Sequence, residues 1–179
     1  MTESVQHGLK RCAKGATAMT TDVQGPERLA TIKLIEATNP ILRKRARDVG
    51  QSARPAAVIA AMREVLAAHQ GAGLAAPQIG VDWRVFILAD DQQPFVNPVI
   101  AERSAETDVQ DEGCLSLPGI IVAVRRNLSV TVQAKGRRVQ LRGMAARIAQ
   151  HEIDHLDGVL ITDRGVLLPD SGDAPPEGA

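Results

Sequence analysis

Gln150-His151-Glu152-Ile153-Asp154-His155-Leu156-Asp157-Gly158 sets two imidazoles one helical turn apart with a carboxylate between them. On an α-helix residues i and i+4 lie one above the other, so His151 and His155 can turn a ring nitrogen toward one cation. Glu152 sits about 100° around the axis. From there it reaches a water held by the cation without entering the coordination shell, which is the position a general base needs. The chain has only four histidines, so two at this spacing around a glutamate carry weight. Periodicity agrees with a helix: Met144, Ile148, His151 and His155 form one stripe, widened by Ala145 and Ala149 and flanked by Ile153 and Leu156. Gly158 supplies the stop. A helix apolar over so much of its circumference is expected inside the protein.

Two histidines half fill a tetrahedral site, and catalytic sites of this kind use three protein ligands with one position open. The metzincin pattern would put a third histidine where Ile161 stands, and isoleucine cannot bind a cation. A downstream glutamate fails too, because beyond Gly158 the only one is Glu177, within a Pro/Gly-rich tail. Upstream, Cys114 in Glu112-Gly113-Cys114-Leu115-Ser116-Leu117-Pro118 offers a thiolate, a strong ligand for a borderline-soft divalent ion. Beside it Gly113 has no Cβ and lets a bound peptide pass close to the metal. A closed four-ligand site would need another Cys or His. His7 stands near the N-terminus and His69 at a helix end, neither well placed.

A third stretch, Gly71-Ala72-Gly73-Leu74-Ala75-Ala76-Pro77-Gln78-Ile79-Gly80, precedes both. In this order the three segments resemble the three motifs of the peptide deformylases, a likeness that includes Asn39-Pro40-Ile41-Leu42-Arg43 and Phe95-Val96-Asn97-Pro98 and runs from about Ile32 to Asp163. The resemblance implies a hydrolase that removes the N-formyl group from the N-terminal formyl-methionine of newly made polypeptides. It implies Cys114, His151 and His155 as ligands of one divalent ion, Glu152 as proton shuttle, and Gln78 with the backbone N–H of Leu115 as donors to the developing oxyanion. Iron(II) is the implied metal in the cell; thiolate and imidazole also suit zinc, nickel and cobalt in purified protein. Gly71, Ala72 and Gly73 would edge the substrate cleft, where a peptide can add as a strand. Met144, Arg147 and Ile148 precede the ligands by one to two turns; of these Ile148 is taken as a substrate contact. The alternative is a metallopeptidase cleaving peptide bonds with the same His-Glu-x-x-His helix.

Outside the motifs, Val58, Met62 and Leu66 mark a helix from about Ser52, its expected N-cap, to Gln70, with Gly71 closing it. Trp83 to Leu88 reads as a buried strand, and Phe95 to Ile100 as a second, broken by Pro98 and so near an edge. Leu128, Val130 and Val132 alternate with polar residues, and Lys135-Gly136 turns the chain into Arg138 to Leu141, a hairpin. Antiparallel strands around a central metal-bearing helix make an α+β fold, as in the family it resembles.

At 44% hydrophobic the chain of 179 residues can bury one core, and with 2% aromatics aliphatic side chains must fill it. Residues 1–30 read as a loosely packed extension, 31–165 as the catalytic domain and 166–179 as an acidic Pro/Gly-rich tail. A net charge of +0 gives no nucleic-acid footprint, and the cluster Arg43-Lys44-Arg45 with Arg47 reads as a solvated face. No apolar run spans a bilayer, and no h-region marks a secretory signal. With Cys12 and Cys114 as the only cysteines and one assigned to metal, a disulfide is not expected, which fits a reducing compartment. The expected location is the bacterial cytoplasm, an organelle being the lesser reading. N-formylmethionyl nascent peptides are the implied partners. Ribosome association stays open, because beyond Arg164 the chain has no Lys or Arg to build a basic docking helix.

Overall fold

A computed structural model describes residues 33–91 and 93–168, and among these described residues the chain forms three small antiparallel sheets and two α-helices. The expected extension, 1–30, and the tail beyond Leu168 lie outside the described residues, as do His7 and Cys12. One sheet has the order β1-β2-β3, from Gly73–Ala75, Val85–Leu88 and Phe95–Val96. The second, β4-β7-β8, is formed by Val99–Arg103, Ser129–Ala134 and Arg137–Arg142. The third, β5-β6-β9, joins the long hairpin Thr107–Cys114 and Leu117–Asn127 to Gly165–Leu167. The β-pairing of Val122, Ala123 and Val124 with β9 extends the sheet past residue 165, where the sequence suggested a boundary.

Helix α2, Gly143–Leu156, is the axis of this arrangement. Its Ala146, Ala149, Ile153 and Leu156 meet Phe86, Leu88 and Phe95 of the first sheet and Val130, Val132 and Ala134 of the second in one buried cluster. Phe86 and Phe95 stack at 4.3 Å in that cluster, so the chain's only two phenylalanines are spent at its centre. Helix α1, Ala56–Ala68, packs Val58, Met62, Val65 and Leu66 against Leu74, Val85 and Ile87 from the other side. The expected α+β architecture is therefore present.

Both helices are closed at their C-termini by backbone hydrogen bonds back into the last turn. Gly158 takes φ 75°, and the N–H of Val159 donates to Asp154 O at 2.9 Å. Only glycine fits, since a Cβ there would lie 2.9 Å from the Arg43 carbonyl. At the end of α1 the left-handed residue is Gln70, φ 50°, and Gly71 instead donates to Leu66 O at 3.1 Å. Gly71 thus closes the helix through its N–H, as the sequence suggested, while Gln70 takes the left-handed conformation. Gly71 is also a close-approach position, where a Cβ would meet Leu66 Cδ1 at 2.7 Å and Leu115 Cδ1 at 2.9 Å.

Other elements differ in their limits. Helix α1 begins at Ala56 behind Pro55, not at Ser52, because proline keeps the preceding residue out of helical conformation while its own ring suits a helix start. The single strand expected over Phe95 to Ile100 is two strands in different sheets. Asn97, φ 50°, turns the chain between them, its side chain accepting from Val49 N at 2.7 Å and donating to Val49 O at 3.1 Å. The hairpin of β7 and β8 is as expected, with Gly136 at φ 78° in the turn. In the basic cluster, Arg43 pairs with Asp163 and Arg47 with Asp82 at 2.7 Å.

Arg84 ties α2 down from below. Buried just before β2, it donates to Leu156 O at 3.0 Å and Asp157 Oδ1 at 2.7 Å, satisfying carbonyl and dipole at the helix C-terminus. Arg84→Met is expected to lower the unfolding free energy by about 2 kcal/mol, read from urea denaturation with an unchanged m-value; a loss below about 0.5 kcal/mol would show that this anchor contributes nothing.

Candidate metal centre

Cys114 ends β5, and His151 and His155 face it from α2. The three offer ligand atoms that all lie within 4.8 Å of one another, with Cys114 Sγ 3.3 Å from His155 Nε2. Ligands at about 2.3 Å for sulfur and about 2.0–2.1 Å for nitrogen around a tetrahedral ion would sit about 3.5 Å apart, so this set fits a divalent cation in spacing and in donor chemistry. The cluster is buried: His155 is 1% exposed and Cys114 9%. It lies where a register break in the β5–β6 pairing, between Glu112 and Cys114, re-aims the strand end.

Glu112 orients one imidazole. Its Oε2 lies 3.1 Å from His151 Nδ1, which leaves His151 Nε2 to face the cluster. The carboxylate is held in turn by Arg126 Nε and Nη2, both at 2.9 Å, and by Arg147 Nη1 at 2.7 Å. Arg126 also donates to Asp154 Oδ2 at 2.5 Å, so a chain of buried ion pairs runs beneath the ligands. Burial alone would push the Glu112 pKa up, but the Arg126 and His151 contacts outweigh it and bring it down to about 2. The stability this carboxylate confers is present above its ordinary unfolded pKa and is lost as pH falls toward about 2.

The histidines are pulled in opposite directions. Burial disfavours the His151 imidazolium, yet its hydrogen bonds to Cys114 and Glu112, with the Glu152 charge, hold its pKa up to about 10. Burial and repulsion from His151 and Arg126 push His155 well below the usual histidine range, leaving it a neutral ring. Its Nδ1 and Glu152 Oε2 are buried atoms with no protein partner among the described residues. Burial also raises Glu152; the His151 charge opposes that, Glu112 adds to it and Arg126 opposes it, for a net value of about 7. A buried carboxylate near neutrality with an unpaired oxygen can take and return a proton.

Gly73 lets the β1 edge come this close. A Cβ there would stand 2.6 Å from Glu152 Oε1 and 2.6 Å from Ile148 Cγ2, so any side chain would displace one or both. Gln78, 2% exposed in the short 3-10 helix after β1, accepts from Ala75 N at 2.9 Å. Its Nε2 turns toward Ser116 Oγ at 3.3 Å and Cys114 Sγ at 3.8 Å.

A cavity of about 420 Å³ opens beside the cluster, bounded by Gly71, Ala72 and Gly73 on one side and Gly113, Cys114 and Leu115 on the other. Every residue proposed from sequence except His155 lines it, and His155 lies behind Cys114. A Cβ at Gly113 would meet only Ile121 Cδ1 at 3.5 Å, so neighbouring atoms do not require glycine there. Met144, Arg147 and Ile148 all line the cavity, Met144 from its exposed mouth. The sequence reading missed Glu112 as partner of His151, and with it Arg126 and Asp154. Glu112 stood inside a quoted motif, but nothing in spacing announces which carboxylate meets which ring.

A strand-end thiolate with a His-Glu-x-x-His helix defines a hydrolytic metalloenzyme site. The family model described as Polypeptide deformylase matches residues 31–168. The peptide deformylase of Thermotoga petrophila is 43% identical over 134 residues, which are 70% of this chain and 82% of that one. The crystal structure of the Thermotoga maritima peptide deformylase superposes with TM-score 0.69 at 40% identity, covering 74% of this chain and 96% of that one. The Acinetobacter baumannii peptide deformylase, solved with Met-Ala-Ser bound, superposes with TM-score 0.67 at 32% identity over 74% of this chain and 97% of that one. The chain belongs to the peptide deformylase family. Its activity is that of a metal-dependent amide hydrolase that takes the N-formyl group from newly made polypeptides, and the metallopeptidase alternative finds no support. No helix among the described residues is long and apolar enough to cross a membrane.

Because metal and proton compete for His151, cation affinity is expected to rise with pH by at least tenfold per unit between pH 6 and 8. Chelator competition at several pH values checks this; an affinity flat over that range would contradict the raised His151 pKa.

Proposed function

We propose that Cys114, His151 and His155 hold the cation, that Glu152 moves the proton, and that Gln78 Nε2 and the Leu115 N–H receive the charge developing on the formyl oxygen. What carries this reading is Glu152: a buried carboxylate raised to about 7, with one oxygen unpaired, beside three converging ligand atoms. A divalent ion supplies Lewis acidity, which makes hydroxide available from water near neutral pH.

Glu152 accepts a proton from the attacking water as its oxygen bonds to the formyl carbon. Donation from Gln78 and Leu115 stabilises the oxygen of that carbon, a type of contact worth about 2.7–4 kcal/mol. When the C–N bond breaks, Glu152 returns the proton to the departing amine, and formate and a free N-terminus result. Gly71, Ala72 and Gly73 present the open edge of β1 to the peptide backbone, with Gly113 facing them across the cavity, and β-strand addition there would align the formyl group. Ile148 and Met144 give an apolar wall suited to the methionine side chain.

Iron(II) is the cation we assign in the cell, on the resemblance and on the tolerance of a thiolate and two imidazoles for it. N-formylmethionyl nascent peptides are the substrates, and the bacterial cytoplasm, where they arise, is the proposed location, with an organelle as the lesser alternative.

Protein purified without oxygen is expected to contain iron, to release formate from formyl-Met-Ala-Ser, and to lose activity in air. Glu152→Gln should keep the metal and the fold and lose at least about a hundredfold in formate release. Full activity of the variant, or formate release from a metal-stripped chain, would contradict the assigned roles.

A further inference from the structure

We infer that Arg147 is a positioning residue for the metal centre, fixing His151 through Glu112 and so setting the separation between the strand that carries the thiolate and the helix that carries the imidazoles. The inference rests on the reading of Cys114, His151 and His155 as ligands. Arg147 precedes His151 by one helical turn, so both side chains leave the same face of α2. Glu112 bridges them: Oε1 accepts from Arg147 Nη1 at 2.7 Å, and Oε2 lies 3.1 Å from His151 Nδ1. Two residues further along β5 is Cys114. One carboxylate, Glu112, therefore ties His151 on the helix to the strand that carries Cys114.

Both terminal nitrogens of the guanidinium make further contacts. Nη1 also donates to Val124 O at 2.9 Å on β6, and Nη2 to Asp108 Oδ1 at 2.5 Å and Asp108 O at 3.4 Å at the start of β5. Arg147 thus grips both strands of the long hairpin from the helix, with its side chain only 6% exposed. Arg126 does not duplicate this. It comes from β6, binds both oxygens of Glu112, and reaches α2 at Asp154, beside His155. Arg126 secures the His155 end of the ligand turn and Arg147 the His151 end. With Arg147 gone, Glu112 could pivot on the Arg126 fork and carry His151 with it.

The test is zinc affinity of the full chain, measured by competition with a chromophoric chelator, alongside thermal unfolding of each variant. Arg147→Met is expected to weaken zinc binding about tenfold, the lower end of what loss of an outer-sphere partner costs. In a Glu112→Gln background the same change should cost less than about twofold, because its route to the metal has been removed. Should Arg147→Met fail to fold, Arg147→Lys takes its place in the same cycle. Lysine keeps the charge but not the fork that spans Glu112, Val124 and Asp108, and a loss of about threefold is expected. Wild-type affinity in a folded variant, or an equal loss with and without Glu112, would overturn the inference while leaving the ligand assignment intact. A wild-type chain that takes up no zinc would remove the ligand assignment, and this inference with it.

Discussion

A sulfur at the end of one strand and two imidazoles on a helix have to be brought within a cation's reach, and a buried carboxylate, Glu112, does the joining. It accepts from two guanidinium groups and meets His151, all from elements other than its own. Burying a charge is costly, and removing one partner of such a group leaves the others uncompensated. Here each charge has several partners: Arg126 has Glu112 and Asp154, Arg147 has Glu112 and Asp108, and Asp154 has Arg126 and Arg164. Hydrophobic packing alone could tolerate small shifts of α2 against the hairpin, whereas directional ion pairs specify one register.

Above that charged floor the fold builds a cavity with one open side. Helix α2 is packed by two sheets through alanine, isoleucine and leucine, small enough to let β1 run close to Glu152. Gly73 makes that approach permissible, and the cost of any side chain there would fall on Glu152 itself. Burial raises Glu152 toward neutrality, to about 7, beside the converging Cys114, His151 and His155 atoms, so the proposed proton transfer and metal binding fall within one enclosed cluster.

Helix α2 was legible in the sequence because motif and periodicity coincide: the His151 and His155 pair, the apolar stripe and the Gly158 stop all fall in register. The β7–β8 hairpin was legible for the same reason, with alternation on either side of Lys135-Gly136. The β5–β6 hairpin was not, since Val109, Ile121 and other apolar residues face outward and Gly113, Pro118 and Gly119 interrupt the pattern. Strand β9 is three residues long and entirely exposed, too short to carry a period. The ion-pair floor was hidden for a different reason. Arg126, Arg147, Asp154 and Glu112 read as ordinary charged residues, and only the tertiary fold brings them together away from water.

X-ray absorption at the zinc edge of the zinc-loaded chain tests the convergence of these ligands most directly. One sulfur at about 2.3 Å with two imidazole nitrogens at about 2.0–2.1 Å is the expected inner shell, and the sulfur should vanish in Cys114→Asp. A shell of nitrogen and oxygen only, or a sulfur signal that survives that substitution, would contradict it.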